Sequence, residues 1–218
     1  MEPEEKQAMI RDIALQVVLI SLAIFTFLWM HGLPQRLYAK LRYRPANPRS
    51  VQAKRHFIQG AQLLAQARRS SDSASLAKRA LEEAEKAIAL DPKDAASHLL
   101  KSMALDLQGF RSNALDALDA ALSPLAAASL AQEERGDALL KRAQLKIALS
   151  ERRVDSVLTD LTESVKLSPR NPKAWCMLGE CYEENQMGEE AKKAFKEALG
   201  LEPQLNAAQE ALTRLSSS

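Results

Sequence analysis

Prolines at a near-regular spacing constrain the fold of this chain more than any other feature of its sequence. Pro92, Pro124, Pro169 and Pro203 each follow an apolar stretch with helical spacing, and the gaps between them are 32, 45 and 34 residues. Because proline steers the preceding residue out of the α conformation, each one marks the end of a helix. The long gap contains an insertion, LAAASLAQEERGD. The spacing therefore predicts repeated helical units.

The composition favours an all-α fold. The chain has 7 glycines and 5% aromatic residues, and Ala, Leu, Lys and Glu recur throughout its 218 residues. These residues favour helices, whereas sandwiches and barrels need turn glycines and β-branched runs. The two cysteines cannot build a disulfide framework, so nothing in the sequence requires an oxidising compartment.

The last unit is the most informative. In NPKAWCMLGECYEENQMGEEAKKAFKEALGLEP, the residues with a defining spacing are Trp175, Leu178, Gly179, Tyr182, Ala191, Phe195, Ala198 and Pro203. This unit resembles the tetratricopeptide repeat, whose pattern W-x2-L-G-x2-Y, A-x3-F-x2-A, P it matches at all eight positions. The resemblance implies a hairpin of two helices, in which Gly179 and Ala191 allow close approach while Trp175, Tyr182 and Phe195 fill the space between helices.

Three earlier units keep parts of the pattern. The first pairs Gly60 with Ala80, and the second has His98 and Ser102 where Trp and Gly are usual. The third has Ala143 as its small residue, provided that the turn between its helices is two residues longer than the standard turn. These units are convincing because they are in phase with the last one.

The resemblance thus predicts four repeats over residues 50–203, of which the last, 172–203, is closest to the consensus. Residues 204–218 are interpreted as a capping helix and tail. Such arrays bury a continuous core between neighbouring repeats and need a polar outer face on the terminal helix, which NAAQEALTRL supplies.

An uncharged stretch precedes the repeats. Between Asp12 and Arg36 the sequence reads IALQVVLISLAIFTFLWMHGLPQ. As a helix, residues 13–30 would be roughly 27 Å long, and their flanks add enough to cross a bilayer. We predict a single transmembrane anchor at 13–33 after a short acidic head at 1–12. The alternatives are a buried core helix and a cleaved signal peptide; the acidic flank and the lack of a small-residue cleavage site oppose the second.

The charges around this stretch predict its orientation. Residues 13–71 carry nine cations and no acid, whereas residues 1–12 carry four acids and two cations. Positive flanks stay on the cytoplasmic side, so we expect the repeats to face the cytosol. The basic linker at 34–49 could also contact anionic lipid headgroups, and no nucleic acid is expected. The endoplasmic reticulum, mitochondrial outer membrane, plastid envelope and a bacterial inner membrane remain open as locations.

No catalytic, cofactor or metal constellation is recognisable, so the chain is not expected to be an enzyme. His31, His56 and His98 lack metal-ligand spacing. Cys176 and Cys181 are interpreted as buried free thiols, since they project to different sides of one predicted helix. The sequence also lacks a glycine-rich phosphate loop and a nucleophile elbow.

The family resemblance implies a concave groove lined by the first helix of each hairpin. Mapping the family's inward positions onto this chain gives Leu99, Leu100, Met103, Leu140, Lys141, Gln144, Lys173, Cys176, Met177 and Glu180. The alternative for the leucines is that they pack between helices.

Some members of the family hold the acidic tails of chaperones with a clamp of Lys, Asn and Arg. The corresponding positions here hold Phe57, Ala61, Leu100, Asp137 and Lys141, so a chaperone tail is disfavoured. We expect an apolar helix or extended peptide in the groove.

Two functions follow as hypotheses. The first is a non-enzymatic adaptor, anchored in a membrane, that binds a protein partner in the groove. The second is a structural accessory or assembly subunit of a membrane complex, whose span packs against other spans.

Overall fold

The structure is a computed structural model, and the residues it describes are 15–17, 20–21, 48–149 and 154–216. It divides the chain into two compact units, residues 1–47 and 48–218. The second unit contains all of the predicted repeats.

In the first unit, residues 15–17 and 20–21 are helical. The Ser21 Oγ donates a hydrogen bond to the Val17 carbonyl oxygen at 2.7 Å. Most of the predicted anchor at 13–33 and residues 34–47 of the predicted linker at 34–49 lie outside the described residues. Residues 48 and 49 of that linker are helical. Within the described ranges, no helix combines the length and apolar character that a membrane crossing requires.

The described part of the second unit consists of helices joined by turns, without strands. The helices are α1 (Pro48–Ala67), α2 (Ser73–Leu90), α3 (Ala95–Leu107), α4 (Arg111–Ala121), α5 (Pro124–Ala127), α6 (Gln132–Ala148), α7 (Val154–Leu167), α8 (Pro172–Glu184), α9 (Gly188–Leu201) and α10 (Asn206–Ser216).

Four pairs of consecutive helices form hairpins: α1 with α2, α3 with α4, α6 with α7, and α8 with α9. The second helix of each hairpin packs against the next first helix, and α10 closes the array against α9. The short α5 belongs to the insertion between the second and third hairpins. This arrangement confirms the predicted all-α solenoid of helical hairpins.

The prolines act as predicted, with one addition. Pro92, Pro169 and Pro203 each lie two residues beyond the last residue of α2, α7 and α9 respectively. Pro124 also follows the end of a helix, but it is itself the first residue of α5, a position where its missing N–H costs nothing. The Ser123 hydroxyl caps this short helix by accepting a hydrogen bond from the Ala126 N–H.

The last hairpin has the close approach that its sequence predicts. A Cβ atom added to Gly179 would lie 2.7 Å from the Phe195 Cε1 atom. Phe195 and Ala191 are fully buried, so the ring fills the space that the glycine leaves open. Repeat-defining Ala198 is also fully buried, and Leu178 is 3% exposed.

The other hairpins also have small residues at this place, namely glycine, serine and alanine. In the first, a Cβ atom on Gly60 would lie 2.8 Å from the Leu100 Cδ2 atom. In the second, the buried Ser102 hydroxyl donates a hydrogen bond to the Ala114 carbonyl oxygen at 2.7 Å. In the third, Ala143 is fully buried, and residues 149–153 separate its helices, two more than the 185–187 turn of the last hairpin.

A buried ion network joins the second and third hairpins. Asp160 on α7 is 3% exposed and accepts hydrogen bonds from Arg142 and Lys146 on α6. Arg142 also donates to the Asp119 carboxylate on α4 at 2.9 Å. Because both Asp160 oxygens are paired, the network compensates for the desolvation of this carboxylate.

Candidate peptide-binding groove

A pocket of about 340 Å³ lies between the first three hairpins. We call it the groove pocket. Its lining residues come from the turn after α1, from the second half of α3 and from the middle of α6, and they are Arg68, Met103, Asp106, Leu107 and Lys141. The pocket therefore lies on the face that the family resemblance predicts to be concave.

Met103 and Leu107 form the apolar part of the groove pocket. They are one helical turn apart on α3, which places them on the same face. Met103 is half-buried and packs against the core cluster of the first hairpin, while Leu107 remains 38% exposed. The Arg68 guanidinium lies 3.4 Å from the Met103 sulfur. An incoming apolar side chain would meet a soft, polarisable surface here.

A salt bridge crosses the groove pocket. The Lys141 Nζ donates a hydrogen bond to the Asp106 carboxylate at 2.7 Å. The two side chains are 35% and 25% exposed, so the pair stays accessible to solvent. This bridge ties α3 to α6 and neutralises the Lys141 charge within the pocket.

The remaining predicted residues of α3 and α6 mostly pack between helices. Leu100 is 1% exposed in the core of the first two hairpins, and Leu140 is 7% exposed in the core of the last two. Leu99 packs against the cluster that α3 and α4 form with α6. These three leucines therefore pack between helices, which is the alternative to the groove that the sequence left open. Gln144 is half-buried.

Four predicted residues lie on α8. Cys176 is 7% exposed and belongs to the core that α8 shares with α9 and α10. Met177 is half-buried against the core of the third and fourth hairpins, and Lys173 and Glu180 are exposed. Among the ten predicted groove residues, the structure thus brings Met103 and Lys141 together in one pocket.

The chemistry of Cys176 is that of a buried thiol. Its Sγ atom lies 3.7 Å from the Glu180 Oε1 atom, within hydrogen-bonding range for sulfur. Burial, together with the nearby Glu180 carboxylate, raises the pKa of Cys176 to about 11. The thiolate is the nucleophilic form, so this cysteine is unreactive at neutral pH. Desolvation also raises the pKa of Glu180.

Sequence reasoning missed three residues of the groove pocket: Arg68, Asp106 and Leu107. Arg68 belongs to the turn after α1, where the sequence shows only an insertion. Asp106 and Leu107 follow Met103 by three and four residues, which is the spacing of one helical face. That periodicity is the signal that could have extended the predicted strip to the end of α3.

Within the described part of the chain, no group of three or more His, Cys, Asp or Glu side chains could hold a metal ion. The pocket residues likewise include no nucleophile paired with a base. The groove pocket combines two apolar side chains, one ion pair and one further arginine, and this arrangement is suited to binding a ligand.

Residues 172–205 match the tetratricopeptide repeat family. The matched segment coincides with the last hairpin and confirms the repeat predicted there. No curated protein sequence matches the chain.

Solved structures with a similar fold cover about three quarters of this chain. A MamA protein has a TM-score of 0.61 at 12% identity, covering 76% of this chain and 81% of its own. YrrB, described as a tetratricopeptide repeat protein with an unusual peptide-binding site, has a TM-score of 0.55 at 18% identity, covering 72% and 82%. The pilF protein of Pseudomonas aeruginosa has a TM-score of 0.60 at 17% identity, covering 78% and 70%.

These likenesses establish the fold. Residues 172–205 are a tetratricopeptide repeat, and the hairpins around them form a solenoid of the same type. Solenoids of this type are in general non-enzymatic scaffolds for protein interaction.

Proposed function

We propose that the protein is a non-enzymatic scaffold that binds a peptide or helix of a protein partner in the groove pocket. The groove pocket itself carries this proposal, because it combines Met103 and the exposed Leu107 with two cations, Arg68 and Lys141. Large apolar side chains exposed in a concavity commonly mark an interaction site. The described peptide-binding site of YrrB, a protein of similar fold, supports the proposal.

The charges of the pocket define the class of segment that it suits. Asp106 already neutralises Lys141, and among the described residues no carboxylate pairs with Arg68. A bound segment would therefore place an apolar side chain against Met103 and Leu107 and an acidic side chain next to Arg68. Complementary charge of this kind favours the correct register of the bound segment.

Site-specific photocrosslinking tests the proposal. A photoreactive amino acid in place of Leu107 should crosslink a protein partner in cells, and mass spectrometry should then identify one segment of that partner. The matched control carries the same amino acid in place of Leu201, which is 42% exposed at the end of α9. Crosslinking to the same segment from both positions, or from Leu201 alone, would refute binding in the groove pocket.

We further propose that residues 13–33 anchor the scaffold in a membrane with the repeats on the cytosolic side. The uncharged stretch and the cations that follow it support this proposal. Protease added to sealed vesicles should remove a carboxy-terminal tag from the full chain. Protection of that tag would reverse the orientation, and extraction of the chain by carbonate would refute the anchor.

An accessory subunit of a membrane complex is the second candidate. It differs from the adaptor in that the predicted span, rather than the groove, makes the essential contacts. Replacing residues 13–33 by an unrelated span of equal length should leave an adaptor functional. Loss of stoichiometric co-purification in mild detergent after this replacement would instead support the accessory subunit.

A further inference from the structure

The turns within the first and second hairpins lie side by side at one edge of the array. These turns are residues 68–72 and 108–110. Their proximity follows from the groove pocket, to which Arg68 at the start of one turn and Leu107 just before the other both contribute. We call these two turns and their flanking residues the turn edge.

The turn edge exposes an aromatic side chain at the start of a helix. Phe110 is 56% exposed, although it occupies the N-cap position of α4. Ser, Thr, Asp and Asn are preferred at this position because their side chains accept hydrogen bonds from the helix, and α4 has no such side-chain cap. Gly109, with a φ of 85°, turns the chain so that the Phe110 N–H donates a hydrogen bond to the Leu105 carbonyl oxygen at 3.0 Å. Helix capping therefore does not account for a phenylalanine here.

Cations accompany the exposed apolar side chains. Arg68, Arg69 and Arg111 are all exposed at the turn edge. The acids nearby are Asp72 and Asp106, and Asp106 is paired with Lys141. The turn edge and Lys141 thus hold four cations and two acids, an excess of positive charge at this edge.

We propose that the turn edge binds an anionic lipid surface, with Phe110 inserted at the headgroup boundary and the arginines against lipid phosphates. Exposed apolar side chains together with Lys or Arg are the combination by which peripheral segments bind such surfaces. The inference draws on the proposed membrane attachment, which would hold the array close to a bilayer. The two sites share Arg68 and Leu107, whereas Phe110, Arg69 and Arg111, on which the test below depends, do not line the groove pocket.

The opposite edge of the array provides an internal control. Leu125 on α5 is 63% exposed, and the adjacent Ala126 packs against Ala95 at the start of α3. Leu107 lies at the other end of α3, about 18 Å away at the helical rise per residue. Leu125 is thus a comparably exposed apolar residue on the edge that faces away from the proposed lipid surface.

Depth-dependent fluorescence quenching on the full chain tests the proposal. The variants Phe110→Trp and Leu125→Trp are reconstituted into phosphatidylcholine vesicles with or without phosphatidylserine, and brominated lipid is the quencher. After subtraction of the wild-type signal, Phe110→Trp should be quenched and shifted to the blue only when phosphatidylserine is present. Leu125→Trp should show neither change, and adding Arg69→Glu and Arg111→Glu to Phe110→Trp should abolish its quenching.

Flotation of the vesicles separates failure of this proposal from failure of the anchor. Chains that float with the vesicles while Phe110→Trp stays unquenched would overturn the lipid contact and leave the anchor intact. Equal quenching of both tryptophan variants would also overturn it, as would quenching that persists without phosphatidylserine or survives both charge reversals. If Phe110→Trp stays unquenched and the turn edge crosslinks to a protein, the edge binds a protein partner instead of lipid.

Discussion

His98 and Trp175 occupy the same position in the second and fourth hairpins and make the same hydrogen bond. The His98 Nε2 atom lies 3.0 Å from the Pro92 carbonyl oxygen, and the Trp175 Nε1 atom donates to the Pro169 carbonyl oxygen at 2.9 Å. In both cases the acceptor is the proline six residues earlier. Since a carbonyl oxygen only accepts, His98 must carry a proton on Nε2.

This relationship predicts which residues the position tolerates. His98→Gln should keep the melting temperature, because Gln209 makes the same bond to the Pro203 carbonyl oxygen at 2.7 Å at the start of α10. His98→Leu should lose about 0.5–1.5 kcal/mol of unfolding free energy, the net value of one hydrogen bond. Denaturant unfolding of the two variants measures the difference. Equal stability would show that the bond contributes nothing.

The repeats could be predicted from the sequence because their signals are local. Prolines after helical runs and the spacing of Trp175, Gly179 and Phe195 depend only on the residues of one hairpin. The equivalence of His98 and Trp175 is harder to predict, because the two side chains differ in shape. They are alike only in bonding to the carbonyl oxygen of the proline six residues earlier.

The candidate site was predicted less completely than the fold. Leu100 and Leu140 share a helix face with groove residues, and only the packing of neighbouring hairpins decides that they are buried. The Asp106–Lys141 salt bridge joins residues 35 positions apart, so no local sequence pattern predicts it. Arg68 enters the pocket from a turn whose length departs from the repeat.

Two glycines of the last hairpin should respond oppositely to the same substitution. Gly179→Ala should lower the unfolding free energy by about 1–3 kcal/mol, because the added methyl group would overlap the buried ring of Phe195. Gly200→Ala should raise it by up to about 1 kcal/mol, since Gly200 is helical and has open space around it. Thermal unfolding of both variants tests the close approach. A neutral Gly179→Ala would mean that the helices are farther apart.

Removal of the central acid in the ion network should be costly. Asp160→Ala would leave Arg142 and Lys146 without their shared buried partner, and the expected loss is about 3–5 kcal/mol. Asp119→Ala removes a carboxylate that is 54% exposed and should cost less than about 1 kcal/mol. Urea unfolding of the pair provides the comparison. Similar losses for both variants would contradict the network as described.

Acid should weaken the first hairpin through Glu83. Hydrogen bonds from Lys86 and then His56, both at 2.6 Å, lower the pKa of Glu83 from its ordinary value of 4.5. A lowered folded-state pKa stabilises the protein fully above the ordinary value, and this contribution is lost as pH falls through the folded-state pKa. The stability difference between wild type and Glu83→Gln should therefore shrink as pH falls below about pH 4.5. A difference that stays the same at low pH would contradict the prediction.

Binding in the groove pocket is tested most directly by the affinity for the partner segment found by crosslinking at Leu107. Fluorescence anisotropy of the labelled segment should give a Kd that is weakened by roughly ten- to a hundredfold in Met103→Glu, because the variant loses the burial of one apolar side chain. The same charge at a distant exposed position, in Leu201→Glu, should leave the Kd unchanged. Circular dichroism confirms that both variants are folded. An unchanged Kd in Met103→Glu, or an equal loss in both variants, would contradict binding in the groove pocket.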